Sequence, residues 1–94
     1  MLWRVASRTP LRWRGWGGEW VVFHPDSGDT HLLDPLAADA LRSLEASPAS
    51  AAALAERLSA SAASPAAETL PEAVERMLRA FDDAGLIEPV DDAA

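Results

Sequence analysis

Cysteine is absent from the 94 residues, which excludes disulfides and thiolate metal ligands and leaves this residue silent on redox compartment. Long apolar runs are missing too. None approaches the ~20 residues that a bilayer-spanning helix needs. The opening MLWRVASRTPLRWRGW breaks its apolar residues with arginines, so it lacks the continuous core of a secretory signal. No membrane association is expected, and a cytoplasmic location is the default. Positive charge is scarce: eight basic residues, all arginine, stand against fifteen acidic ones, for a net charge of -7. Such a chain has little with which to neutralise phosphates, which argues against a nucleic-acid partner. There is no phosphate-binding glycine loop and no nucleophile–base arrangement. Serines gather in Ser59–Ala67, a Ser/Ala/Pro stretch read as a mobile linker, where nothing pre-organises a catalytic group. The chain therefore reads as a non-enzyme with no cofactor.

Apolar residues make up 49% of the chain, enough for one core that stabilises a domain of this size only marginally. The charge is unevenly spread. Arg4, Arg8, Arg12 and Arg14 precede the first carboxylate, Glu19, so residues 1–18 carry +4; the remainder sets four arginines against fifteen carboxylates, or −11. A basic N-terminal region on an acidic body suits the attraction of an acidic peptide.

Leu2–Ala6 alternates loosely, as a short strand or an ordered arm. Leu11-Arg12-Trp13-Arg14 alternates cleanly between apolar and charged. Gly15-Trp16-Gly17-Gly18 reads as a turn, Glu19–His24 as a strand rich in Val and aromatics, and Pro25-Asp26-Ser27-Gly28-Asp29 as a second turn. Thr30–Leu33 completes a meander. Asp34 as N-cap and Pro35 at the first helical position open a helix ending near Ala46, with Leu36, Ala40, Leu41 and Leu44 on its apolar side. Ser50 caps a shorter second helix carrying Leu54, Ala55 and Leu58. A third, from Glu68 or Leu70 to Ala84, stripes Leu70, Val74, Met77, Leu78 and Phe81. Gly85 closes it, and Leu86-Ile87 reads as a closing strand or core plug. Segregated strands and helices predict an α+β fold, a small winged-helix-like domain with a three-stranded antiparallel sheet followed by three helices. Residues 1–90 form one domain, and the acidic tail 91–94 is expected to be disordered.

Four tryptophans, Trp3, Trp13, Trp16 and Trp20, crowd the first twenty residues. They read as packing between sheet and helices, or as an aromatic platform for a peptide, with Trp16 between turn glycines the least suited to a core. His24 and His31 lie on consecutive strands, placed either to face each other across the hairpin or to stand exposed to solvent. With Asp26 and Asp29 they fall short of a recognisable metal-ligand spacing. Arg76 and Arg79 read as helical partners of Glu72, Glu75 and Asp83, or as contacts for an acidic peptide. Asp82-Asp83, at a helix end that disfavours negative charge, reads as solvated surface or as a contact for a basic residue.

LRWR, then EWVVFHPDSGDTHLLDPLAADAL, then a short helix, then a helix ending FDDAGLIEP resembles the PqqD family. That family comprises small peptide chaperones and precursor-peptide recognition domains of ribosomally made, modified peptides. The WR near the start and SGDTHLLDPLAA resemble the PqqD-like members that accompany a protein related to HPr kinase. The resemblance spans roughly residues 2–89. It implies that the leader of a precursor peptide adds as a strand beside the third strand, in the cleft facing the third helix. The domain then presents it to a modifying enzyme, a radical S-adenosylmethionine enzyme or an HPr-kinase-related protein. Carried onto this chain, the pairing edge is Asp29, Thr30, His31, Leu32 and Leu33, and the opposing wall is Leu78, Arg79 and Asp82. Such a domain is a monomer or a weak homodimer. Two alternatives come from other classes: a winged-helix DNA-binding regulator, and an adaptor dimerising through its edge strand.

Overall fold

The computed structural model describes residues 1–59 and 69–90. The linker beyond Ser59 and the 91–94 tail lie outside the described residues. In chain order the elements are β1 (Leu2–Val5), β2 (Arg12–Trp16), β3 (Glu19–His24), β4 (Asp29–Leu33), α1 (Pro35–Ala46), α2 (Ala51–Leu58), α3 (Leu70–Asp83) and β5 (Ile87–Val90). The class is α+β, with the expected meander present as an antiparallel sheet of order β2-β3-β4.

Turn chemistry builds that sheet. Gly17 and Gly18 have φ of 61° and 82°, the backbone of a two-residue turn whose twist matches the strands it joins. Gly15 and Trp16, expected in the turn, belong instead to β2, because only two residues need the left-handed region. Gly15 has a different task. It lies opposite Trp20, and a Cβ added there would stand 2.7 Å from Cζ3 and 2.8 Å from Cε3 of the indole. The ring has no retreat, since the Arg42 guanidinium lies 3.8 Å from its centroid. Gly15→Ala is therefore expected to cost about 1–3 kcal/mol through overpacking, read by urea denaturation. The same change in a Trp20→Val background should cost clearly less.

The helices start as their caps dictate. Asp34 Oδ1 accepts from Ala37 N–H at 2.8 Å, and Ser50 Oγ from Ala53 N–H at 3.1 Å. Thr69 does the same for α3, accepting from Glu72 N–H at 3.3 Å. With no basic residue in its own last turn, α1 is closed by Arg57 of α2. That guanidinium donates to the carbonyls of Ser43, Ser47 and Pro48, where positive charge complements the helix dipole.

The meander is not the only sheet. β1 and β5 pair antiparallel as a separate two-stranded ribbon, Val5 opposite Ile87 and Arg4 opposite Glu88. Both segments thus become strands, each supplying the other's hydrogen bonds across almost the whole chain. A continuous core joins the layers: Val22 and Leu33 of the sheet, Leu41 and Leu44 of α1, Leu54 of α2, Val74 and Phe81 of α3, and Leu86 and Ile87. The helices cover one face of the meander, with α1 packed on β3, β4 and β1, and α3 on α2, β5 and α1.

Candidate functional site: an open sheet edge and the face of the third helix

The candidate site begins with β4, which among the described residues has β3 as its single strand neighbour. A two-residue turn closes on a hydrogen-bonded pair, here Trp16 and Glu19. Alternation along β3 then directs Glu19, Val21 and Phe23 to β2 and leaves Trp20, Val22 and His24 for β4. Their partners Leu33, His31 and Asp29 spend their main-chain groups on β3. Thr30 and Leu32 therefore turn their N–H and C=O groups to the open edge. Both are exposed, and among the described residues no strand pairs there.

β4 and α3 share α1 as a neighbour without packing closely on each other. The three α3 residues expected at the site do come together, but in a cleft of their own of about 400 Å³. Its other walls are Trp3, Ala51 and Glu75, with no residue of β4 among them. Leu78 is buried and forms the apolar floor, while Arg79 and Asp82 are exposed. Glu75 lies four residues before Arg79 and Asp82 three after, yet Arg79 makes no ion pair among the described residues. The expected wall did not include Trp3, Ala51 and Glu75. Trp3 arrives because its N–H donates to the Ala49 carbonyl at 2.8 Å and its carbonyl accepts from Ala49 N–H at 3.0 Å, a tertiary bridge without a local signal.

Among known protein families, residues 19–87 match the one described as Coenzyme PQQ synthesis protein D (PqqD). The chain belongs to the PqqD family. No curated protein and no solved structure matches it. PqqD membership suggests a non-catalytic, peptide-binding role in the biosynthesis of ribosomally made, modified peptides, alongside a precursor peptide and a modifying enzyme. No helix among the described residues is long and apolar enough to cross a membrane.

The PqqD match opens at β3 and ends at the first residue of β5, so β4 and all three helices lie inside it. β1 and β2 lie before it, and with them Trp3 and Trp13. Trp13 and Trp20 meet edge to face, centroids 6.4 Å apart, and Arg42 of α1 lies over both rings, a cation–π arrangement. Glu45, one turn further along, accepts from Trp13 Nε1 at 3.1 Å and from Leu11 N–H at 2.7 Å. These two tryptophans thus fasten β2 and β3 to α1. Trp16 is 59% exposed, as its place beside the turn suggested.

The histidines do not face each other. His24 lies opposite Asp29 and His31 opposite Val22, which makes them diagonal neighbours on the covered face. The four-residue turn sets this offset, a register that composition does not encode. His24 is committed to structure: its Nε2 meets the Ala6 carbonyl at 2.8 Å and its Nδ1 accepts from Ser27 N–H at 3.1 Å. Asp26 is likewise engaged, accepting from Arg8 N–H at 2.8 Å. His31 differs in that its Nε2 is buried without a hydrogen-bond partner.

Proposed function

We propose that this PqqD-family chain binds the leader of a ribosomally made precursor peptide as an added strand on β4 and presents it to a modifying enzyme. It performs no chemistry of its own. The observation that carries this reading is the main chain of Thr30 and Leu32, directed outward on a strand that lacks a second strand neighbour among the described residues. An added strand draws its affinity from such groups and its selectivity from alternate side chains. The leader runs along Asp29, Thr30, His31, Leu32 and Leu33, with α3 as the far wall. β4 and α3 both pack on α1 and not closely on each other, which is compatible with that course. Leu78 offers it an apolar surface, and Arg79 and Asp82 select for charge. The partner is a radical S-adenosylmethionine enzyme or an HPr-kinase-related protein, the second favoured by the SGDTHLLDPLAA resemblance.

The test is an amide NMR titration with each short peptide encoded beside the gene. Saturable shifts along Asp29–Leu33 and on α3 are the expected result. Saturable binding that leaves β4 unshifted would remove the strand-addition reading. Dimerisation through the same edge would appear instead as a mass that rises with protein concentration. DNA binding is disfavoured, since Glu68–Asp83 holds two arginines against five carboxylates and a recognition helix needs the reverse balance.

A further inference from the structure

Among the described residues, no helix covers the second face of the meander. Gly15, Trp20, Val22 and Leu33 belong to the covered face, so the residues between them point the other way. These are Arg12, Arg14 and Trp16 on β2, Glu19, Val21 and Phe23 on β3, and Thr30 and Leu32 on β4. The register sets Arg14, Val21 and Leu32 in one row and Arg12 and Phe23 in the next. Val22, one residue from both Val21 and Phe23, is fully buried, whereas Leu32 is 64% exposed and Trp16 59%. Together with Met1, those two are the exposed large hydrophobic residues among the described ones. Neither the Arg12 nor the Arg14 side chain makes a hydrogen bond or ion pair among the described residues.

Apolar side chains in rows beside two unpaired arginines make a surface unlike the rest of this acidic molecule, whose net charge is -7. Contiguous exposed apolar residues with a polar rim mark an interaction face. The arginines decide what fits it. Two copies meeting through this same face would bring four arginines together against two Glu19 carboxylates, an excess of positive charge that disfavours a second copy. A partner with apolar side chains among carboxylates is complementary.

We propose that the uncovered face of β2-β3-β4 is the surface on which the peptide-modifying enzyme docks, through a patch of that enzyme combining exposed apolar residues with carboxylates. This rests on the strand-addition reading and extends it. A leader added to β4 continues the same sheet, so every second leader side chain lies on this face beside Leu32. The enzyme then meets domain and leader as one surface.

The experiment measures affinity of the purified modifying enzyme encoded beside the gene for the full chain, with and without leader, and leader binding alone for each variant. Arg12→Glu combined with Arg14→Glu is expected to weaken enzyme binding by at least about tenfold and to flatten its salt dependence. Trp16→Ala, which removes an exposed ring without a packing role, should weaken it about threefold or more. Leader affinity and thermal midpoint should stay at wild-type values in both. An enzyme that binds wild type and variants alike, or binds none, overturns the docking proposal. A wild-type dimer that the charge reversal dissolves also overturns it, by naming a second copy as the occupant. Failure of the parent reading is separate: the leader alone would not bind the wild-type chain.

Discussion

Leu32→Pro is expected to lower leader affinity by at least about tenfold while leaving the domain folded. The alternation of the β3 ladder assigns the Leu32 N–H to the open edge, so proline there costs β4 no bond to β3. Proline is tolerated in a strand at such a position. An incoming strand loses one main-chain hydrogen bond, worth about 1 kcal/mol net, and meets the pyrrolidine ring where it must approach closely. Since about 1.4 kcal/mol is tenfold in affinity, the bond and the ring together reach that factor. Leu32→Ala isolates the side chain and should bind the leader nearly as well as wild type. His31→Pro supplies the opposite control: its N–H is spent on β3, and its loss should unfold the hairpin at about 3 kcal/mol or more. Isothermal titration with circular dichroism on all three variants reads the pattern. A folded Leu32→Pro chain that binds leader at wild-type affinity would rule out strand addition at this edge.

The second large effect is on stability and comes from His24. This residue is 4% exposed. Because Nδ1 accepts from Ser27 N–H, the ring proton sits on Nε2 and is donated to the Ala6 carbonyl. The pair of bonds ties the β3–β4 turn to the crossing segment between β1 and β2. Ala6 in turn donates its N–H to the Leu86 carbonyl at 2.8 Å, so the same point reaches the approach to β5. His24→Leu fills the volume and strands both polar groups. Each unsatisfied group costs about 1–3 kcal/mol, and a combined loss of about 2–4 kcal/mol is expected in urea denaturation. Against a total of about 5–15 kcal/mol for domains of this kind, that is a large fraction. Asp26→Ala, which frees the exposed Arg8 N–H, should cost under about 1 kcal/mol because water takes over. A His24→Leu loss no larger than that of Asp26→Ala would mean that water reaches Ala6 and Ser27 as well.

The two predictions differ in how far the sequence anticipated them. A turn at Pro25–Asp29 and a strand at Thr30–Leu33 were expected from the residue types, and the PqqD resemblance implied Asp29–Leu33 as the pairing edge. Which residues present their main chain outward depends on the phase of two consecutive hairpins, and so on the turn closing at Gly17-Gly18 rather than one residue earlier. His24 drew attention as a possible partner of His31, whereas its ring is a structural tie to a segment eighteen residues away. On α3, the PqqD resemblance implied Leu78, Arg79 and Asp82 as one wall. It did not bring in Trp3, because nothing local links β1 to α2 and α3.

What the sequence determined by itself is local. Asp34-Pro35 and Ser50 start helices through side-chain caps, apolar residues at helical spacing choose the buried faces, and glycines at positive φ make the turns. These outcomes depend on interactions within a few residues, where chain entropy is cheap and the residue types are specific. The tertiary structure alone decided the pairing of β1 with β5, the histidine register, the Arg42 contact over two indoles and the assembly of the α3 cleft. Each of these joins residues distant in the chain, and such a contact forms only once the shared core has repaid the entropy of closing the loop between them.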